Sequence, residues 1–155
     1  MRIAAGALLL ALAATPALAR DSLGVFEDWA AFRDPASGNA PLRCYAIAEP
    51  ERSNTSGLYA TVGHWPVSRV RSQFYIRLPR ATSGTATLTI ASRRFALTVR
   101  SSGLWAADAR TDAAIVAAMR SAGSMSVAVG GLSASWRLRG AATAIDAAAL
   151  GCARR

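Results

Sequence analysis

The chain holds a single histidine, His64, and its surroundings give it little to act on. Imidazole is the usual base beside a nucleophile, yet His64 precedes Trp65-Pro66 and stands in no recognisable nucleophile motif. Serines are frequent, but neither G-x-S-x-G nor S-x-x-K occurs, and Gly123-Ser124-Met125-Ser126-Val127 fails at both its third and its last position. G-x-G-x-x-G is absent, and G-x-x-x-x-G-K-[ST] is impossible in a chain without lysine. Asp28, Asp34, Glu49 and Glu51 are the carboxylates that could converge for glycoside chemistry, although such residues usually serve solvation or ion pairing. Cys44, Cys152 and His64 fall short of a structural zinc set, and no C-x-x-C or H-x-x-x-H spacing supplements them. No catalytic, metal or cofactor-binding residue is expected. A small periplasmic hydrolase using His64 or the early carboxylates is the alternative reading.

Charge is the remaining chemical signal. The 155 residues carry a formal net charge of +9, and all 18 basic residues are arginine. Residues 20–52 hold four arginines against six acids, whereas residues 53–155 hold thirteen against three. A sheet face lined with guanidinium groups attracts polyanions. Arg69, Arg71, Arg77, Arg94 and Arg100 are the candidate polyanion-binding residues, with Arg137 and Arg139 facing outward beside them. The other use of such a face is solubility, since exposed strands routinely carry charge.

The elements that would position these arginines follow from apolar periodicity. Val70, Phe74, Ile76 and Leu78 share one parity while Arg69, Arg71, Gln73, Tyr75 and Arg77 share the other, a strand with a core face and a basic outer face that ends at Pro79. Ala86, Leu88 and Ile90 alternate with threonines, and Phe95, Leu97 and Val99 alternate with Arg94 to Arg100, which reads as a tight hairpin around Ser92-Arg93. Further strands are expected at 42–48, 58–65, 125–129 and 132–138, the last two joined around Gly130-Gly131. The run TDAAIVAAMRSA, 111–122, reads as a helix capped by Thr111 or Asp112 and stopped by Gly123; residues 141–150, bracketed by Gly140 and Gly151, read as a second. Trp29, Trp65, Trp105 and Trp136 are scattered, and core packing is their expected use; Trp136 shares the parity of Leu132 and Leu138 and so points inward. The fold class is mainly β, an antiparallel sandwich or barrel-like domain with two short helices. With 52% hydrophobic and 17% charged residues the chain suits one compact domain, 20–155.

Residues 1–19 read as a secretory signal peptide: Met1-Arg2, an apolar run from Ile3 to Ala14, a break at Thr15-Pro16 and the small-x-small site Ala17-Leu18-Ala19. No cysteine follows for lipid attachment, and arginine interrupts every later segment that could span a bilayer. Export through the general secretory route to the periplasm or the cell surface is expected. In that oxidising compartment Cys44 and Cys152 are expected to join, two buried free thiols being the other possibility.

The segment Phe26-Glu27-Asp28-Trp29 resembles the F-G-D-W opening of the invasion-associated locus B family, exported proteins of alphaproteobacteria. Leu42-Arg43-Cys44-Tyr45 is similar to that family's post-loop cysteine segment, LTIASRRFAL to its strand–turn–strand, TDAAIVAAMRSAGSMSV to its acid-led helix and following strand, and WRLRGAATAID to its closing strand and short helix. The chain departs from the family in having Phe32-Arg33 where a cysteine follows the opening tryptophan, and in lacking a mid-chain cysteine pair. The resemblance implies a β-rich envelope domain without catalytic residues, and no disulfide plan carries over from it.

Together these readings point to a non-enzymatic exported accessory or binding protein of the cell envelope. Its expected partner is an anionic polysaccharide, lipopolysaccharide or an envelope protein; export disfavours nucleic acid.

Overall fold

In a computed structural model the described residues are 20–153, so the assigned signal peptide lies outside them. Nine strands come first: β1 (Asp21–Phe26), β2 (Trp29–Asp34), β3 (Arg43–Ala48), β4 (Arg52–Ser53), β5 (Tyr59–Trp65), β6 (Val70–Arg77), β7 (Ala86–Ile90), β8 (Arg93–Arg100) and β9 (Gly103–Trp105). Helix α1 (Ala109–Met119), strands β10 (Ser124–Val129) and β11 (Leu132–Arg137), and helix α2 (Ala141–Ala153) follow. The strands form one antiparallel sheet in the order β1-β2-β3-β5-β6-β9-β8-β7-β10-β11-β4.

This order cannot lie flat. Three residues, Glu49 to Glu51, join β3 to β4, and such a link reaches at most about 14 Å. Seven strands separate β3 from β4 in the sheet, which would be roughly 38 Å across a flat one. The sheet therefore curls into a half-barrel, and two buried tryptophans hold its ends together. Trp29 Nε1–H donates to the Arg137 carbonyl at 2.9 Å, and Trp136 Nε1–H donates to the Ala48 carbonyl at 3.1 Å. Arg139 pairs with Glu27 and Asp28, each at 3.1 Å, and Arg137 pairs with Glu51 along the same seam.

The inner face holds the apolar parity of each strand, among them Ala46, Val62, Phe74, Ile76, Leu88 and Val127, and the helices cover it. Helix α2 packs across β1, β2, β3 and β5, while α1 packs on β6 and touches β7 and β8. The barrel-like, mainly β expectation with two helices is what the described residues form.

Several boundaries differ from the sequence reading. Helix α1 begins at Ala109, capped by Asp108, whose Oδ1 accepts the Thr111 N–H at 2.7 Å. Asp112 is instead a buried acceptor for the Phe74 N–H at 2.7 Å; β9 pairs with β6 only from Tyr75 to Arg77, so the amide beyond that end needs a partner. Helix α2 runs through Gly151, where a Cβ would meet Leu23 Cδ1 at 2.5 Å, and the extra turn carries Cys152 onto Cys44. Strands β1, β2, β4 and β9 carry no clear alternation, so periodicity does not predict them: β1 has a register shift between Ser22 and Gly24, and β4 and β9 are two and three residues long.

The disulfide joins residues 108 apart in sequence. Closing a loop of that size stabilises a fold by about 4–5 kcal/mol through chain entropy. Reduction should therefore lower the urea midpoint substantially, and a midpoint unchanged by reductant would contradict this. Gly140 tests the seam independently. Its φ is +80° and a Cβ would lie 1.8 Å from the Phe26 carbonyl oxygen, so Gly140→Ala should cost more than about 2 kcal/mol by the same assay.

Candidate functional site

The face of β2, β3, β5, β6, β9 and β8 turned away from the core is aromatic. In the antiparallel register Phe32, Tyr45, Gly63 and Gln73 form one row across neighbouring strands; Ala30, Ile47, Thr61, Tyr75, Trp105 and Thr98 form the next. A third row reads Tyr59, Arg77, Gly103, Arg100. Two glycines make room for rings: a Cβ on Gly63 would lie 2.3 Å from Trp65 Cη2, and one on Gly103 would lie 2.6 Å from Tyr75 Cε2 and 2.9 Å from Trp105 Nε1. Rings laid over strand glycines recover the contact a missing side chain forfeits. Tyr75 and Trp105 then pack against each other at a tilt of 36°, their centroids 4.2 Å apart.

The result is a groove of about 460 Å³ bounded by Tyr45, Tyr59, Trp65, Tyr75 and Trp105, with Arg20, Arg43 and Arg77 at its margins. Trp29 and Trp136 are core residues as expected, whereas Trp65 and Trp105 are half-buried and belong to this outer face. A signal for it is present in the sequence: Gly63-His64-Trp65 and Gly103-Leu104-Trp105 repeat Gly-x-Trp, which in a strand puts ring and glycine on one side.

Charge at one end of the groove is arranged by Asp34. Its carboxylate accepts from Arg20 at 2.7 Å and from Arg43 at 2.8 Å, and both guanidinium carbons lie 5.5 Å from the Tyr45 ring centroid. Cation–π contact and the shared carboxylate fix both arginines. Burial pushes Asp34 up, but the hydrogen bonds from Arg20 and Arg43 outweigh it and hold the carboxyl below its ordinary range. At the other end Arg77 and Arg100 flank Gly103 on one face, roughly 10 Å apart across two strand spacings.

The five candidate arginines are all exposed, but they do not form one surface. Only Arg77 and Arg100 stand beside the groove; Arg94 has the outward parity of Arg100 but lies six residues along β8 from it. Pairing shifts between Gly63↔Gln73 and Trp65↔Val70, so β6 carries an extra residue there, and Ser72 takes a φ of +55°. A bulge breaks parity, and the continuous alternation read from Arg69 to Leu78 is corrected at this point. Arg69 and Arg71 turn instead to a cleft beside the disulfide, with His64, Arg33, Val70 and Cys152. Arg94 pairs with Thr89 on the far half of the sheet, and Thr89 lines a separate depression with Thr87, Ser126, Ser133 and Ser135.

His64 is buried, at 7% exposure, and its Nδ1 accepts the Ser72 N–H at 3.3 Å. Of the early carboxylates, Asp28 and Glu51 lie along one seam, where Arg139 and Arg137 hold them, whereas Asp34 is held separately by Arg20 and Arg43. No carboxylate lines the His64 cleft among the described residues. The described residues contain no helix long and apolar enough to cross a membrane. The fold and site thus define a curled antiparallel β domain with an aromatic, arginine-edged groove. No protein-family model matches the chain, and neither curated proteins nor solved structures give a significant match.

A carboxyl lowered in the fold adds stability that is complete above its unfolded pKa, about 4, and is lost as pH falls through the folded value. Stability measured by urea unfolding from about pH 6 to pH 2 should fall less steeply in Asp34→Asn than in the parent, the difference opening below about pH 4. Parallel curves would mean that the Arg20–Asp34–Arg43 cluster does not stabilise the fold.

Proposed function

We propose that the protein is an exported, non-enzymatic binding domain of the cell envelope, as its resemblance to the invasion-associated locus B family implies, and that the groove holds an acidic polysaccharide. The observation that supports this is the placement of Trp65, Tyr75 and Trp105 on one face with Arg77 and Arg100 beside them and the Arg20–Arg43 pair at the far end. Sugar rings present C–H faces that stack on aromatic faces, and their carboxylates or sulfates accept charge-assisted hydrogen bonds from guanidinium groups. The Cys44–Cys152 disulfide fits an oxidising compartment.

Polygalacturonate, with one carboxylate per sugar, is a suitable ligand to try, and neutral dextran is its control. Trp65 and Trp105 flank the groove while Trp29 and Trp136 are at most 1% exposed, so a change in tryptophan emission on titration reports the groove. Affinity should fall as salt rises through the physiological range, because exposed charges are screened beyond about 8 Å. Arg77→Ser with Arg100→Ser should weaken binding about tenfold at an unchanged Tm. Equal binding of dextran, or an unweakened double variant, would refute the proposal.

A further inference from the structure

Two buried side-chain nitrogens among the described residues lack a hydrogen-bond partner, Arg33 Nε and His64 Nε2. Both residues line one cleft of about 910 Å³ at the end of α2, on the core side of the sheet and away from the aromatic groove. Register explains their proximity. Arg33, Cys44 and His64 form one row across β2, β3 and β5, so the two side chains stand on either side of the cystine that Cys152 completes, their Cα atoms roughly 10 Å apart.

The β6 bulge sets the chemistry of this row. Ser72, at φ +55°, directs its amide N–H to His64 Nδ1. Burial, followed by the nearby charge of Arg71, lowers the His64 pKa, which favours the neutral ring. With Nδ1 accepting, the one ring proton sits on Nε2, and that atom becomes a donor. Arg33 donates from a terminal nitrogen to Asp21 at 3.1 Å, which leaves its Nε–H free. Buried donors without acceptors are costly and uncommon in folded proteins. Arg69 and Arg71 stand at the same cleft, and no acidic side chain lines it among the described residues.

We propose that this cleft is a second ligand site and takes the oxyanion of a phosphate monoester, bound by Arg33 Nε–H, His64 Nε2–H and the guanidinium groups of Arg69 and Arg71. A tetrahedral oxyanion carries several acceptor oxygens and can satisfy donors that approach from different sides. Leu42, Pro66, Val70 and Ala149 give the cleft an apolar wall, which suits the body of a phosphorylated molecule. The site is independent of the groove, since none of its residues is shared with it.

The experiment is a titration of the disulfide-bonded protein with inorganic phosphate at neutral pH and low salt, followed by the nitrogen-15 resonances of the imidazole. Because His64 is the sole histidine, the signal needs no assignment. A saturable shift of Nε2–H is expected. Arg69→Ser with Arg71→Ser should weaken the titration about tenfold or more at an unchanged Tm, because both residues are exposed. Arg77→Ser with Arg100→Ser should leave it as in the parent, so failure here and failure of the groove are read separately. His64→Phe, checked for an intact fold by circular dichroism, should abolish phosphate binding measured by calorimetry. Phosphatidylcholine vesicles with and without phosphatidic acid then separate the sources: co-sedimentation with phosphatidic acid, lost in the Arg69/Arg71 variant, assigns the phosphate to a lipid surface, and binding of inorganic phosphate alone assigns it to a soluble ligand. An unmoved His64 resonance, or equal affinity in the Arg69/Arg71 variant, overturns the proposal.

Discussion

Closure of the curled sheet by two indoles is the interaction on which the rest of the architecture depends. Trp29 on β2 reaches the carbonyl of Arg137 on β11, and Trp136 on β11 reaches the carbonyl of Ala48 on β3. Each bond brings a large apolar ring into the core while satisfying a carbonyl at the seam, so burial and polar satisfaction are met by one residue. A flat sheet of these strands would need more cover over Phe74, Ile76, Leu88 and Val127 than two short helices give. Curled, it encloses them with only two short helices as lids.

The same closure decides which way each chemical group points. Once one parity of the strands is committed to the interior, the other is forced outward, and on β3, β5, β6 and β9 that other parity is aromatic. Rings on a solvent face need support, and Gly63 and Gly103 supply it by letting Trp65, Tyr75 and Trp105 lie down on the sheet. Asp34 performs the corresponding task for charge, holding Arg20 and Arg43 against Tyr45. Groove and cleft lie on opposite faces of the same strands, and β5 contributes successive residues to them: His64 inward, Trp65 outward.

Helix α2 is bound to this scheme by covalent and steric constraints together. Its alanine-rich surface permits close approach to β2 and β3, Gly151 admits Leu23, and the cystine pins the last turn over the Arg33–Cys44–His64 row. The free donors of Arg33 and His64 beside a fixed disulfide contrast with the buried Asp112 carboxyl, which is satisfied by the Phe74 N–H. Arg33 and His64 stand apart in the chain, and their relation exists only because β3 lies between β2 and β5.

What the sequence determined by itself is local. Alternation in Ala86–Ile90 and Arg93–Arg100, paired glycines at 130 and 131, and alanine-rich runs between glycines specify strands, a hairpin turn and helices, because backbone preference and side-chain periodicity act over a few residues. Two cysteines in a chain with a leader-like start were enough to expect their bond. The tertiary structure alone decided the rest. The bulge at Ser72 separates Arg69 and Arg71 from Arg77, and it depends on how β5 and β6 register, a pairing that parity along β6 cannot reveal. Gly-x-Trp was legible twice, but its meaning required knowing that both copies face away from the core, and that is fixed by the curl. Strand order and sheet closure are contacts between residues distant in sequence, so their energies carry no local imprint that a reading of neighbours could detect.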